Sequence, residues 1–485
     1  NITGGVISGK TALSVDSDNA QIAIKGGVFE GDIAAPNLTD FIEGGSFDTE
    51  LDAAYLAADY EQNESGVVVE KGNEAAVARV IAADGTFKYY ETLYAAVDAA
   101  KDGETVEILV KNISDTEGGS AQVTAAGQFW LYAKNKSLTI EGNGATLTAS
   151  NHTFPFYYRN DYSTDNAYTL TINNLTIDAS GKATSALAVY GEHLNVYLDG
   201  VTLYSHDVTA LNANGTKAKG VPLLFTGRMD EELTREDDPA ITAVLSRSTL
   251  NAPGSYAIEI YNPVDLTIKN KSTVSGWAAL YFQENSKPND PKVTLPNRGS
   301  KGSVVNIIDS TIATSAAYNG DTNAFGTFVF EDGIAALNVV NSDITSTVGG
   351  TAKQYIIFFG KFDAEIAGIT GLNPTAINFD FNDTNITFAG DKSENAVFMY
   401  RSAGYEEFVP TGDVAGGEFN FPLEQEFLAE GQLLAVSEDE DGNTVYAAMT
   451  QEEAEIGNAA VVETEEGTFA YATIAEAIAN AEDGA

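Results

Sequence analysis

One short element, repeated irregularly from about Val106 to Phe421, limits what this chain can fold into. Each instance places apolar residues two apart, then Asn, Asp or Gly, then a small polar residue, then Ile, Leu or Val. The instances end at Leu147 (LTIEGNGATL), Ile177 (LTINNLTI), Leu203 (VYLDGVTL), Leu250, Val274 (LTIKNKSTV), Ile312, Ile344 and Ile386. Apolar residues two apart share one face of a strand. Asn, Asp and Gly tolerate left-handed backbone, so the chain can turn there and begin a new face. Successive ends are 24 to 47 residues apart. The short spacings match one coil of a parallel β-helix, and the longer ones a coil plus a loop. A propeller would need a regular blade, and stacked sandwiches a full strand set in each. The expected fold class is therefore mainly β, a parallel β-helix (solenoid).

A second feature marks where that solenoid begins. In Thr92–Ser114, Leu93, Ala96, Val97 and Ala100 form an apolar helical stripe. Thr92 can cap its start and Gly103 the turn at its end. Val106, Ile108 and Val110 then share a strand face. The stretch returns near the end of the chain. Thr473, Ile474, Ala477, Ile478, Ala481, Asp483 and Gly484 fall on Thr92, Leu93, Ala96, Val97, Ala100, Asp102 and Gly103. A GGxF element followed by a YLA or FLA run also occurs twice, at Gly44–Phe47 with Tyr55–Ala57 and at Gly416–Phe419 with Phe427–Ala429, both offset by 372 residues.

These repeats divide the chain. Residues 1–47 read as the C-terminal end of a preceding β-helix. Residues 48–90 read as a small α+β linker module, with a short helix at Glu50–Ala58, strands at Val67–Val69 and Ala76–Ile81, and a hairpin turn at Asp84-Gly85. Residues 91–421 are the parallel β-helix with its amphipathic cap helix at 91–103. Residues 422–485 are a second linker module and the start of the next cap. The chain thus reads as one repeat of a tandem array, beginning inside one repeat and stopping inside another.

Composition bounds the function. Seventy acidic against 26 basic residues give a net charge of −44, which excludes a nucleic-acid face and disfavours anionic membrane. There is no cysteine, hence no disulfide or zinc–thiolate chemistry. No apolar run is long enough for direct membrane insertion. The acidic run Glu438–Asp441 suits a solvated hairpin and departs from calcium-loop spacing. No cofactor is expected, and calcium, although compatible with such acidity, has no motif here.

The form TLxxAVxAAxDGETVEIL before LTIxNxTI strands resembles the N-terminal cap of right-handed parallel β-helix, pectin-lyase-like proteins. The GGxF…YLA element, with the GTFxY run at Gly85–Tyr89, resembles repetitive surface proteins of gut Gram-positive bacteria. This resemblance implies a right-handed coil and an extracellular, cell-surface location, with wall attachment through regions outside this sequence.

Pectin-lyase-like folds host lyases and hydrolases, yet no catalytic constellation stands out, and no residue is assigned as catalytic or metal-binding. None of His152, His193 and His206 lies between glycines, and Asp237-Asp238 sits in a charged insertion. The insertions carry recognition residue types instead. Thr153–Tyr168 offers Phe154, Phe156, Tyr157, Tyr158, Arg159 and Tyr162. Gln283–Gly302 is a basic island with Lys287, Lys292, Arg298 and Lys301. Val221–Pro239 adds Phe225 and Arg228. Trp130 and Trp277 are expected in the core or at a coil edge. The expected function is a non-enzymatic surface adhesin engaging a host surface glycoprotein, mucin glycan or immunoglobulin. The alternatives are an extracellular polysaccharide lyase or hydrolase and a purely structural stalk.

Overall fold

A computed structural model describes residues 1–17, 19–116, 123–124, 127–150, 152–160, 166–181, 185–205, 220–227, 241–283, 299–314, 326–331, 333–347, 353–360, 377–390, 395–401, 410–458, 460–464 and 467–481. The chain is mainly β, with a large, mostly parallel sheet and, among the described residues, three short α-helices. It divides into two compact units, residues 1–187 with 197–204, and residues 188–196 with 205–485.

The first unit opens with three parallel strands, Ile2–Ser14, Ile24–Ala34 and Ile42–Phe47. Phe29 and Phe47 stack between the last two at 4.8 Å. The helix expected near Glu50–Ala58 is a single 3₁₀ turn, Ala53–Tyr55, because Asp52 caps it and the backbone is extended again at Leu56. Two antiparallel hairpins follow, Tyr60–Gln62 with Val68–Glu70 and Ala78–Ile81 with Phe87–Tyr90.

Helix α1 is Leu93–Ala99. The Thr92 hydroxyl accepts from Ala95 N, and Leu93, Ala96 and Val97 are buried. At its C-terminus the Lys136 ammonium donates to the carbonyls of Val97 (2.7 Å) and Ala100 (2.6 Å), where a cation opposes the helix dipole. Asp102 accepts from Ser137 N, and Gly103, at φ 80°, donates to Ser137 O. The strand Glu104–Ile108 pairs antiparallel with Ala78–Ile81 and parallel with Leu138–Thr148, which pairs parallel with Tyr168–Ala179. A buried ion pair, Arg79–Glu107 at 2.6 Å, joins hairpin to strand.

In the second unit the strands form three parallel ladders. One runs through Ile241–Ser246, Val264–Lys269, Val304–Ile308, Ala336–Val340, Asn378–Asn382 and Thr411–Ala415. Another begins in the first half of Thr249–Ile260 and of Thr273–Phe282, then takes Thr311–Thr314, Asp343–Ser346 and Asn385–Phe388. The last runs from Val221–Thr226 through the second halves of those two long strands to Phe328–Phe330, Gln354–Phe359 and Ala396–Arg401. Ile268, Ile307, Val339, Phe381 and Val414 fill one interior column with no exposure. Each contributes about 1.5–3 kcal/mol by leaving water.

The corners between the first two ladders explain the repeated Asn/Asp–small polar pair. Arg247, Lys271, Asp309, Asn341 and Asp383 all adopt φ between 47° and 62°. The next residue in each case, Ser248, Ser272, Ser310, Ser342 or Thr384, is buried. Its hydroxyl answers backbone groups that the turn would strand in the interior. Ser248 N donates to Ser272 Oγ and Ser310 N to Ser342 Oγ, both at 3.1 Å.

Beyond the ladders, Gln432–Glu438 and Thr444–Thr450 make the hairpin expected at the acidic run, its turn held by Asp439 accepting from Asp441 N and Asn443 N. Helix α2 (Gln451–Gly457), hairpin Ala460–Thr464 with Gly467–Tyr471, and helix α3 (Ile474–Asn480) follow.

Candidate ligand-binding face

The third ladder of the second unit carries the strongest constellation. Phe225, Ile260, Phe282, Phe330 and Phe359 occupy one register column with no exposure. Phe282 and Phe330 stack at 4.5 Å and 2°. The preceding residue on each strand points to the opposite face, because side chains alternate. That column reads Leu224, Glu259, Tyr281, Val329, Phe358 and Tyr400.

Three of its six positions, Tyr281, Phe358 and Tyr400, are aromatic, with buried Val329 between the first two, and exposure rises along these three. Tyr281 is 1 % exposed and lies flat on Tyr256 at 4.1 Å, with Trp277 beyond it. Phe358 is 9 % exposed and Tyr400 40 %. Tyr400 meets Phe358 at 5.4 Å and Tyr355 at 4.9 Å. The row thus runs from a closed end at Tyr256–Tyr281 to an open end at Tyr400, where Arg401 is also exposed.

Two carboxylates lie beside the closed end. Glu259 accepts from Gln283 Nε2 at 3.2 Å and from the Tyr261 phenol. Glu331 accepts from the Tyr281 phenol. Burial, with the neighbouring carboxylates, pushes both phenols well above the usual tyrosine range. They therefore stay protonated as donors, and the carboxylates serve as acceptors. Asn262, fully buried, donates to Gly191 O at 2.7 Å in the same region. The open ring of Tyr400, backed by Phe358 and Tyr355, can stack a flat apolar ligand, while the carboxylates at the closed end are engaged by Gln283, Tyr261 and Tyr281.

The residues singled out from sequence are placed differently. Phe154–Arg159 is a strand paired in parallel with Gly127–Lys134, not an inserted loop. Phe156 and Tyr158 are wholly buried, and the Tyr158 hydroxyl donates to Lys136 O. They are core residues, because consecutive aromatics here cover both strand faces. Tyr157, 9 % exposed, and half-buried Phe154 cluster with Phe129 and Tyr132 on the other face, and Arg159 is half-buried. Phe225 is likewise interior, packed into the phenylalanine column, so it presents nothing to a ligand. Tyr162, Arg228, Lys287, Lys292 and Arg298 lie outside the described residues, as do His206 and Asp237-Asp238. Trp130 and Trp277 are 1 % and 3 % exposed. His152 Nδ1 and backbone N meet Asp115 at 3.0 Å, a contact that ties together two segments 37 residues apart. Among the described residues no group of three His, Asp or Glu is placed to hold a metal ion.

Sequence reasoning missed Glu259, Tyr261, Tyr281 and Glu331. A signal existed in the strand ends EIYN, YFQE and VFED, where aromatic and acidic residues recur together after an apolar run. No protein-family model matches this chain, and no curated protein matches its sequence.

Proposed function

We propose that the chain is a right-handed parallel β-helix, one repeat of a tandem array on a bacterial cell surface, and that it works as a non-enzymatic binding protein. The three parallel ladders, the left-handed corners with buried Ser or Thr, and the cap helix support the architecture. The acidity, the absent cysteine and the repeated modules support an extracellular setting.

The observation that carries the binding reading is the stacked aromatic row ending at Tyr400. Rings held by their neighbours on hydrogen-bonded strands bind with little loss of side-chain freedom. Such a platform suits the apolar face of a sugar, so a host surface glycoprotein or mucin glycan is the favoured partner class, with immunoglobulin as a protein alternative. A screen of the chain against host glycans, polyuronides and immunoglobulins tests this. Tyr400→Ala should weaken any hit at least ten-fold without changing thermal unfolding. Release of oligosaccharide products, or an undiminished hit in the variant, would remove this reading.

A second reading has its own support. Glu259 and Glu331, each tied to a buried phenol, lie on one ladder, and a carbohydrate lyase or hydrolase needs paired acid and base groups. It expects turnover of a polysaccharide that Glu331→Gln abolishes while the fold is kept.

A further inference from the structure

The segment Ala460–Asn480 repeats Ala78–Ala99 but leaves exposed what the first copy covers. In both copies the hairpin register is the same, with Ala78 opposite Tyr90 and Ala460 opposite Tyr471. In the first copy Val80 pairs with Val106 of Glu104–Ile108 and is 7 % exposed. Val462, its counterpart, is half-buried, and Val461, at the position of Arg79, is 45 % exposed. The helices differ in the same way. Leu93 and Val97 of α1 are 1 % and 0 % exposed, and α1 packs on the strand Gly127–Lys134. Ile474 and Ile478, which stand at those positions in α3, are 62 % and 70 % exposed. Only Ala477, at 3 %, is covered, by the hairpin beside it. α3 itself is well formed, with Thr473 and Glu476 making a reciprocal capping box. The exposed residues therefore form an apolar face on an ordered module, and such faces mark contact sites.

We infer that the strand edge Ala460–Thr464 and the exposed Ile474 and Ile478 form a docking surface for a chain segment of the Glu104–Ser137 type. Its first strand pairs along Ala460–Thr464, and its second covers Ile474 and Ile478. A lysine two or three residues after that second strand reaches the last carbonyls of α3, as Lys136 reaches those of Val97 and Ala100. The first copy states the chemistry of the occupant residue by residue. A second copy of this chain does not supply it, because its own Glu104–Ser137 stretch already serves its own α1. In repeat architectures the stability of one module resides partly in the interface with the next, and this surface is such an interface. The inference rests on the tandem-array reading and does not depend on what the aromatic row binds.

The test extends the intact chain after Ala485 with a second copy of residues 105–148, which continues the alignment of Ala485 with Glu104. Amide hydrogen exchange across Ile474–Asn480 is compared with and without the extension. Exchange should slow at least ten-fold in the extended chain. Ile474→Asp with Ile478→Asp in the extended chain should restore the fast rate, and Lys→Met at the appended counterpart of Lys136 should restore part of it. Equal exchange in the two chains would overturn the inference. So would slow exchange in the unextended chain that depends on protein concentration, since that would make a second molecule the occupant.

Discussion

The phenol of Tyr281 donates a hydrogen bond to the carboxylate of Glu331, fifty positions further along the chain. Tyr281 sits on the long strand Thr273–Phe282, and Glu331 follows the next strand of the same ladder. The bond closes the buried end of the aromatic row. The phenol is almost without solvent and its ionisation is suppressed by burial and by the carboxylates near it. Tyr281→Phe keeps the stack on Tyr256 and removes one donor to a charged acceptor, which costs about 1.5–3 kcal/mol. Urea unfolding at neutral pH should show that loss, with the slope of the transition unchanged. A loss under about 0.5 kcal/mol would mean that the bond does not order this end of the row.

Lys136 ties α1 to the strand that follows. Its ammonium answers two terminal carbonyls, and burial lowers its pKa while Asp98 and Glu104 draw it back up. Lys136→Met keeps the aliphatic stem in place and strands the carbonyls of Val97 and Ala100. The expected loss is about 1–3 kcal/mol. Amide exchange at Ala96–Gly103 should accelerate more than exchange in the second unit. A uniform acceleration would show that the lysine acts through global stability alone.

How much of this was legible in sequence depends on which face of a strand is asked about. The interior columns and most of their turns were readable, because an inward residue must be apolar and a corner favours Asn or Asp followed by a small hydroxyl, as at Asp309, Asn341 and Asp383, although Arg247 and Lys271 take the same conformation at two others. Thr92 as a cap and Gly103 as a helix stop were readable for the same local reasons. The outward face was not. Alternation assigns positions such as Glu259 and Tyr281 to solvent, yet they are 5 % and 1 % exposed, and the partners they meet, Gln283 for Glu259 and Tyr256 and Glu331 for Tyr281, come from neighbouring strands of the ladder that no local pattern brings together. Phe154–Tyr158 misled in the opposite direction. Five residues with aromatic rings on both faces erase the period-two signal, so a paired strand read as an irregular loop.

Glu141 supplies a pH-dependent test. Burial raises its carboxyl pKa, the Asn173 amide opposes that shift with a 2.7 Å bond, and the charge of Glu107 adds to the rise. A carboxyl whose folded pKa lies above its unfolded value makes the ionised folded state costlier. The cost is fully present at neutral pH and disappears as pH falls through the raised folded value toward the unfolded one, about 4.3. Glu141→Gln keeps an acceptor for Asn173 and removes the charge. Its melting temperature should exceed that of the parent at pH 7, and the two should converge at pH 4. Curves separated by the same interval at both pH values would assign the effect to packing instead of charge.

The Arg79–Glu107 pair gives the sharpest energetic test of how the hairpin is joined to the first long ladder. Both side chains are 7 % exposed and the bond is short. Arg79 also lies 4.9 Å over the Phe87 ring, and Glu107 accepts from Asn143 Nδ2 at 3.2 Å. Two desolvated charges attract strongly, but removing them from water costs nearly as much, so the pair can be close to neutral against an apolar replacement. Losing one partner is different, because the other charge stays buried without its counterion. Arg79→Met should therefore cost about 3–5 kcal/mol. Arg79→Met with Glu107→Leu should recover most of that loss, less the bond that Asn143 gives up. A double-mutant cycle read by urea unfolding separates the cases. Additive losses would show that the two side chains act independently and that the hairpin is held by its apolar contacts alone. Recovery in the double variant would show that the pair specifies the register of Ala78–Ile81 against Glu104–Ile108 more than it stabilises it, because a one-residue slip would separate the charges and turn Val80 away from Val106.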